Sequence, residues 1–177
     1  MRATALVLMG LLWALPAAGQ EAGGADAGEG AQVVQTPYEP QKVVYDFYFD
    51  HPDKINTALY WLRAHIKPLS EAPYNIPPDF LDIKVVIHGT EIVTVARKNY
   101  DRYQRAVERM RYYDSIGVDF KVCALAAQDY GYRPEDFYPF VDVVPSAMAE
   151  LAHWQQKGYA LMVPTVYERT QAIEDIR

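Results

Sequence analysis

The 177-residue chain holds a single cysteine, Cys123. One cysteine excludes an internal disulfide and leaves three fates for the thiol: buried and inert, paired between chains, or reactive. A basic surplus is also missing, with 17 Lys and Arg against 23 Asp and Glu and a formal net charge of -6. Nucleic acid is therefore not expected as a partner, because no excess positive charge is available to displace phosphate counterions. No glycine-rich fingerprint surrounds Gly89, so neither a dinucleotide nor a P-loop nucleotide site is expected. Asp50, His51, His88 and Glu91 would converge only if their strands were adjacent. No pair among them has the close spacing of a zinc motif, so no metal and no cofactor is expected. No Ser–His–Asp arrangement and no internal repeat can be recognised. No apolar run reaches the ~20 residues that span a bilayer, so an integral membrane protein is not expected.

What is present starts with a targeting pattern. Met1 and Arg2 give a positive start, residues 3–15 are apolar apart from Thr4 and Gly10, and Pro16, Ala17, Ala18 and Gly19 supply small residues. This predicts a signal peptide over residues 1–19, cleaved near Gly19 and Gln20, and a periplasmic or secreted mature protein. Residues 20–40 read as a flexible linker, being rich in Gly, Ala, Glu and Gln over 20–35 without an apolar period. Residues 41–165 form the expected folded domain, and 166–177 a polar tail with the character of a frayed helix.

Within the domain, strands and helices alternate. Residues 42–49 (KVVYDFYF) predict a strand. Pro52 opens a helix carrying Ile55, Leu59, Leu62 and Ile66, which Pro68 is expected to end. Residues 81–88 (LDIKVVIH) predict a second strand. Tyr103, Val107 and Met110 mark a helix from about Asn99 to a stop at Gly117. Residues 118–125 (VDFKVCAL) predict the third strand, 133–138 a short turn or helix, and 140–144 a weaker fourth strand. A helix over 146–157, with Met148, Leu151 and Ala152 inward, ends at Gly158 before a fifth strand at 159–163. The alternation implies a three-layer α/β domain: a mainly parallel five-stranded sheet with helices on both faces, joined by right-handed crossovers.

In such sheets, sites form at the carboxyl ends of strands. That rule selects Asp50 and His51, the segment from His88 to Glu91, Cys123 to Gln128, and Pro145 with Ser146. Backbone N–H groups just beyond Cys123 would stabilise a thiolate, and its alanine neighbours leave room for a bulkier sulfur species. A core cysteine packed as a small hydrophobe is the competing reading. His88 is a candidate to orient a ligand and Glu91 to move a proton. The alternatives are a histidine hydrogen-bonded at a strand end and a carboxylate stabilised at a helix start. His65 and His153 are expected at the surface of helices. Tyr100, Tyr103, Tyr112, Tyr113, Tyr130 and Tyr132 fit core or subunit contacts, or a pocket lining.

Residues 117–127 (GVDFKVCALAA) resemble the active-cysteine segment of DsrE and TusD proteins, in which an aliphatic strand runs into Cys and an Ala-rich step. Residues 140–146 (FVDVVPS), then Leu151, Gln155, Gly158, Tyr159 and Ala160, resemble the closing strand–helix–strand of single-chain DsrE-like proteins, and the strand ending in His88 and Gly89 is also similar. The resemblance covers about residues 42–164. It implies a five-stranded DsrE-like domain assembling into homo-oligomers, trimers or hexamers. It also implies that Cys123 accepts sulfane sulfur as a persulfide and passes it from a donor to an acceptor protein. The chain departs from the cytoplasmic relay members in its export-type N-terminus and in lacking the second relay partners. Two alternatives stand beside this: a non-catalytic oligomeric module that binds a small ligand, and a thiol redox sensor.

Overall fold

The computed structural model describes residues 30–177. The expected export segment and most of the linker lie outside these. The chain divides into a unit of residues 1–35 and a unit of Thr36–Arg177, and every element below belongs to the second. No helix among the described residues is long and apolar enough to cross a membrane.

Five parallel strands form one sheet in the order β4-β3-β2-β1-β5. They are β1 (Lys42–Phe47), β2 (Asp82–Ile87), β3 (Val118–Cys123), β4 (Val141–Val144) and β5 (Ala160–Met162). The helices are α1 (Ile55–Ser70), α2 (Tyr100–Ser115), α3 (Ala124–Asp129) and α4 (Ala147–Gln156). β1 to β4 are laid down successively towards one edge. Right-handed crossovers then keep α1, α2 and the β3–β4 connection on one face. β5 returns to pair with β1 at the opposite edge, and the same handedness carries α4 across the other face.

The two faces differ in chemistry because side chains alternate along each strand. On the first, Val43, Tyr45, Phe47, Ile83, Val85, Ile87, Phe120 and Val122 pack against Leu59, Leu62, Ala106, Val107 and Met110 of α1 and α2. On the second, only Val44, Val86 and Cys123 join the small cluster under Ala147 and Leu151 of α4. Beside them, part of that face is ionic. Lys84 Nζ lies 2.8 Å from Asp82 and 2.5 Å from Asp119, and Lys121 Nζ lies 3.1 Å from Asp142. Trp154 of α4 covers both ammonium groups, at 5.0 Å and 5.8 Å from its ring. The stems of these lysines fill space that apolar side chains would otherwise take.

Several boundaries depart from the sequence reading. Pro68 does not end α1, which runs on to Ser70. A proline so near the end sacrifices little intrahelical bonding, and the stop comes at Glu71, whose backbone is extended. β3 stops at Cys123 because α3 begins at Ala124, and Leu125 is exposed. In α4 the inward residues are Ala147 and Leu151, whereas Met148 is 59% exposed and Ala152 is exposed. A two-residue stripe, Ala147 and Leu151 at i and i+4, suffices where α4 meets the sheet over so few apolar side chains. The tail holds only a 3-10 turn at Ile173–Asp175. His65 is half-buried rather than superficial, held between Tyr45 OH at 2.9 Å and Gln41 Oε1 at 2.8 Å. Burial pulls its pKa below the ordinary histidine value. His153 is exposed, as expected.

The ionic face sets a pH dependence. For Asp82, burial is outweighed by hydrogen bonds from Lys84 and Tyr159, which hold its carboxyl below the usual range. For Lys84, burial is outweighed by its bonds to Asp119 and Asp82, which raise it. Asp82 therefore contributes stability above the ordinary aspartate pKa and loses it as pH falls through the depressed folded value. Lys84 contributes below the ordinary lysine pKa and loses it as pH rises through the raised one. Replacing Lys84→Met is expected to flatten the acid limb of a melting-temperature profile below about pH 4. An acid limb identical to that of the unsubstituted protein contradicts this account.

Candidate functional site

The carboxyl edge of the sheet is organised by register. Phe47 pairs with Ile87, Ile87 with Val122, and Cys123 with Val144. One step beyond the β1–β2 and β2–β3 ladders, Tyr48, His88 and Cys123 fall side by side, and alternation puts them on the second face. The chain leaves β3 towards the first face and leaves β4 towards the second. Cys123 and Val144 thus flank the point where the connections diverge, the position at which open α/β sheets form crevices.

Cys123 is 6% exposed. It clusters with Val44, Val86, Ala147 and Leu151. Its Sγ accepts one hydrogen bond, from Ala126 N–H at 3.5 Å, and so caps α3. Ala126 is also a wall residue of a cavity of about 420 Å³, shared with Tyr48, Asp50, His88, Thr90 and Tyr130. Ala126 thus connects the thiol, through its backbone N–H, to the cavity wall, while Cys123 itself does not line the cavity.

His88 projects into the same cavity. Its Nε2 lies 2.6 Å from Asp46 Oδ1, and its ring stacks on Tyr48 with centroids 4.9 Å apart. With Nε2–H donating to Asp46, the neutral ring keeps Nδ1 as its acceptor. A carboxylate-oriented imidazole beside a strand-end cysteine is the arrangement needed to take a thiol proton. In the resting geometry, however, the Cys123 hydrogen bond runs to Ala126.

Glu91 has a different place. It is fully buried. Its oxygens accept from the backbone N–H groups of Phe49 at 3.0 Å, Gly89 at 2.9 Å and His88 at 3.2 Å. Burial pushes its carboxyl above the usual range, against the pull of those N–H groups. This carboxylate ties the exits of β1 and β2 together, and Thr90 adds a bond to Phe49 O at 2.9 Å. Gly89 is required by the same packing: a Cβ there would lie 2.5 Å from Phe49 N and 2.6 Å from Glu91 Oε2.

The remaining strand-end candidates are dispersed. Asp50 pairs with Lys54 at 2.6 Å, a contact that lowers its pKa. His51 accepts from Asp53 N–H at 3.2 Å. No group of three His, Cys, Asp or Glu able to share a metal ion occurs among the described residues. Of the tyrosines, Tyr103, Tyr113 and Tyr132 are buried, whereas Tyr112 and Tyr130 are exposed. Sequence reasoning missed Asp46 and Asp129, the latter a second carboxylate of the cavity. An aspartate in the middle of a buried parallel strand was the available signal for Asp46.

The architecture and this edge define a class: a parallel α/β domain with its only cysteine at the end of an inner strand, in the crevice where connections diverge. The model of the DsrE/DsrF-like family matches residues 43–164, more than half of the chain. The chain belongs to that family. Among solved structures, it resembles a protein of unknown function, MTH1491 from Methanobacterium thermoautotrophicum, at 20% identity and a TM-score of 0.52. That match covers 70% of this chain and 99% of the other. The ychN protein from E. coli matches at 16% identity and a TM-score of 0.49, over 70% of this chain and 98% of its own. A comparison with curated proteins finds no match.

The clamp predicts stability effects. Gly89→Ala is expected to cost about 1–3 kcal/mol through overpacking against Phe49. Glu91→Gln places an amide NH2 among backbone donors and is expected to cost about 2 kcal/mol. Urea unfolding measures both, and losses below about 0.5 kcal/mol, the level of ordinary surface changes, contradict the clamp.

Proposed function

We propose that this protein handles sulfane sulfur, with Cys123 as persulfide carrier and His88, oriented by Asp46, as its proton partner. Family membership suggests a sulfur-relay-type role. The observation that carries the specific reading is the register that sets Cys123 beside His88 at the strand ends, with Ala126 both hydrogen-bonded to the thiol and lining the cavity that His88 lines. In the reaction, His88 takes the Cys123 proton. The thiolate attacks the outer sulfur of a donor persulfide, a new S–S bond forms to Cys123, and the donor's inner sulfur leaves as a thiolate that takes up the proton. An acceptor thiolate then attacks the outer sulfur on Cys123, and the Cys123 thiolate departs. No net oxidation occurs in either transfer. Glu91 acts by holding the β1 and β2 exits, and with them His88, in place.

The same reading includes export by residues 1–19, work in a periplasm or outside the cell, and assembly into a homo-oligomer. Leu125, Met148 and Tyr48 are exposed large apolar side chains on segments adjoining this edge, and subunit contacts would cover such groups.

The near-closed thiol favours a second reading, in which the cavity holds a small ligand and Cys123 does no chemistry. Intact-mass measurement after polysulfide treatment separates the two. The relay reading expects one sulfur atom added per chain and no adduct on Cys123→Ser. It also expects Asp46→Asn to slow loading by about tenfold or more, with the thiol still titratable by reagent. Absence of the adduct, or its persistence on Cys123→Ser, contradicts the carrier role. A mixed disulfide with a partner on non-reducing gels would instead mark a redox sensor.

A further inference from the structure

The outer groove between α1 and α2, away from Cys123, contains a cavity of about 560 Å³. Its lining includes Asn56, Tyr60, Arg63, Arg105, Arg109 and Tyr113. Helical spacing assembles it. Asn56, Tyr60 and Arg63 stand at i, i+4 and i+7 on α1, and Arg105 and Arg109 at i and i+4 on α2, so each set shares one helix face.

Three guanidinium groups thus surround one hollow in a chain of net charge -6. None of the three forms an ion pair with a carboxylate among the described residues. Glu108, which lies between Arg105 and Arg109 in α2, is engaged by Tyr100 OH at 2.8 Å and by Arg111 at 4.0 Å. Arg109 is anchored by donating to Asn56 O at 2.6 Å, and Tyr113 OH donates to Leu59 O at 3.2 Å, which fixes α2 against α1. Arg63 rests over the Tyr60 ring at 6.0 Å. Like charges at i and i+4 repel one another, and an anion between them removes that cost.

Asn56 also borders the hollow. Asn56 Oδ1 is buried and has no hydrogen-bond partner. Leaving a buried amide oxygen unpaired is unfavourable, and such atoms are uncommon in folded proteins.

We propose that this groove binds a small organic phosphate, a phosphomonoester whose dianion is gripped by Arg63, Arg105 and Arg109. Guanidinium forks match phosphate oxygens bidentately. Tyr60 and Tyr113 supply aromatic walls for the organic part, and the volume falls in the usual small-molecule range of roughly 300–1,000 Å³. The site shares no residue with the sulfur chemistry and stands whether or not Cys123 carries sulfur.

Backbone amide NMR titration of the purified protein with ribose 5-phosphate tests it, with ribose and ionic-strength-matched sodium chloride as controls. Saturable shifts confined to α1 and α2, given by ribose 5-phosphate and not by ribose or chloride, are expected. Arg63→Gln and Arg105→Gln alter exposed side chains and should each weaken binding by about tenfold or more while the spectrum elsewhere is unchanged. Asn56→Asp, which sets a carboxylate among the arginines, should abolish it. No saturation by about 10 mM ligand, a free energy too weak for a built site, overturns the proposal. So do shifts scattered over the surface, or equal affinity in a folded Arg63→Gln/Arg105→Gln double variant.

Discussion

The handedness of parallel crossovers constrains everything at the functional edge of this molecule. Four strands laid down in one direction keep α1 and α2 on one face. The return of β5 to the side of β1 then forces α4 over the other. The crevice between the β3 and β4 exits is a consequence of that reversal, and Cys123 occupies it because β3 ends there. The same reversal explains why the second face has so thin a cover. One ten-residue helix cannot bury a whole sheet face, so Asp82, Lys84, Asp119, Lys121 and Asp142 fill the remainder with ion pairs beneath and beside Trp154.

Around that crevice, rigidity and access are divided between different groups. The Glu91 carboxylate fastens the backbone at Phe49, His88 and Gly89, which leaves the His88 ring free to answer to Asp46 and Tyr48. Tyr159 belongs to the opposite, amino-terminal end of the sheet. Its hydroxyl bonds to Asp82, and burial with that bond pushes its pKa up to about 12. On the Cys123 side, Ala126 and Ala147 pack in the same cluster as the thiol, together with Val44, Val86 and Leu151.

The strands were legible in the sequence because buried parallel strands are written as β-branched and aromatic runs, as in residues 42–47 and 82–87. Gly117 and Gly158 were legible as helix stops and have φ of 95° and 85°. The start of α3 was not, since VDFKVCAL continues as an apolar run through Leu125 and contains neither glycine nor proline. Glu91 was readable as a carboxylate satisfied by backbone N–H groups near a helical turn, yet its full burial was not. The Asp46–His88 pair joins positions 42 residues apart and became visible only with the β1–β2 register. His65 was misplaced because its partners, Tyr45 and Gln41, lie at and just before a strand that packs under α1.

The central claim is that Cys123, although almost fully covered, is reached by a local movement of the alanine-lined wall and not by unfolding of the domain. The most direct measurement is the rate at which a small neutral methanethiosulfonate labels Cys123 as urea is raised in the native range. Local opening predicts a labelling free energy with little dependence on urea, well below the global unfolding free energy. Labelling whose free energy and urea slope both equal those of global unfolding would contradict the account.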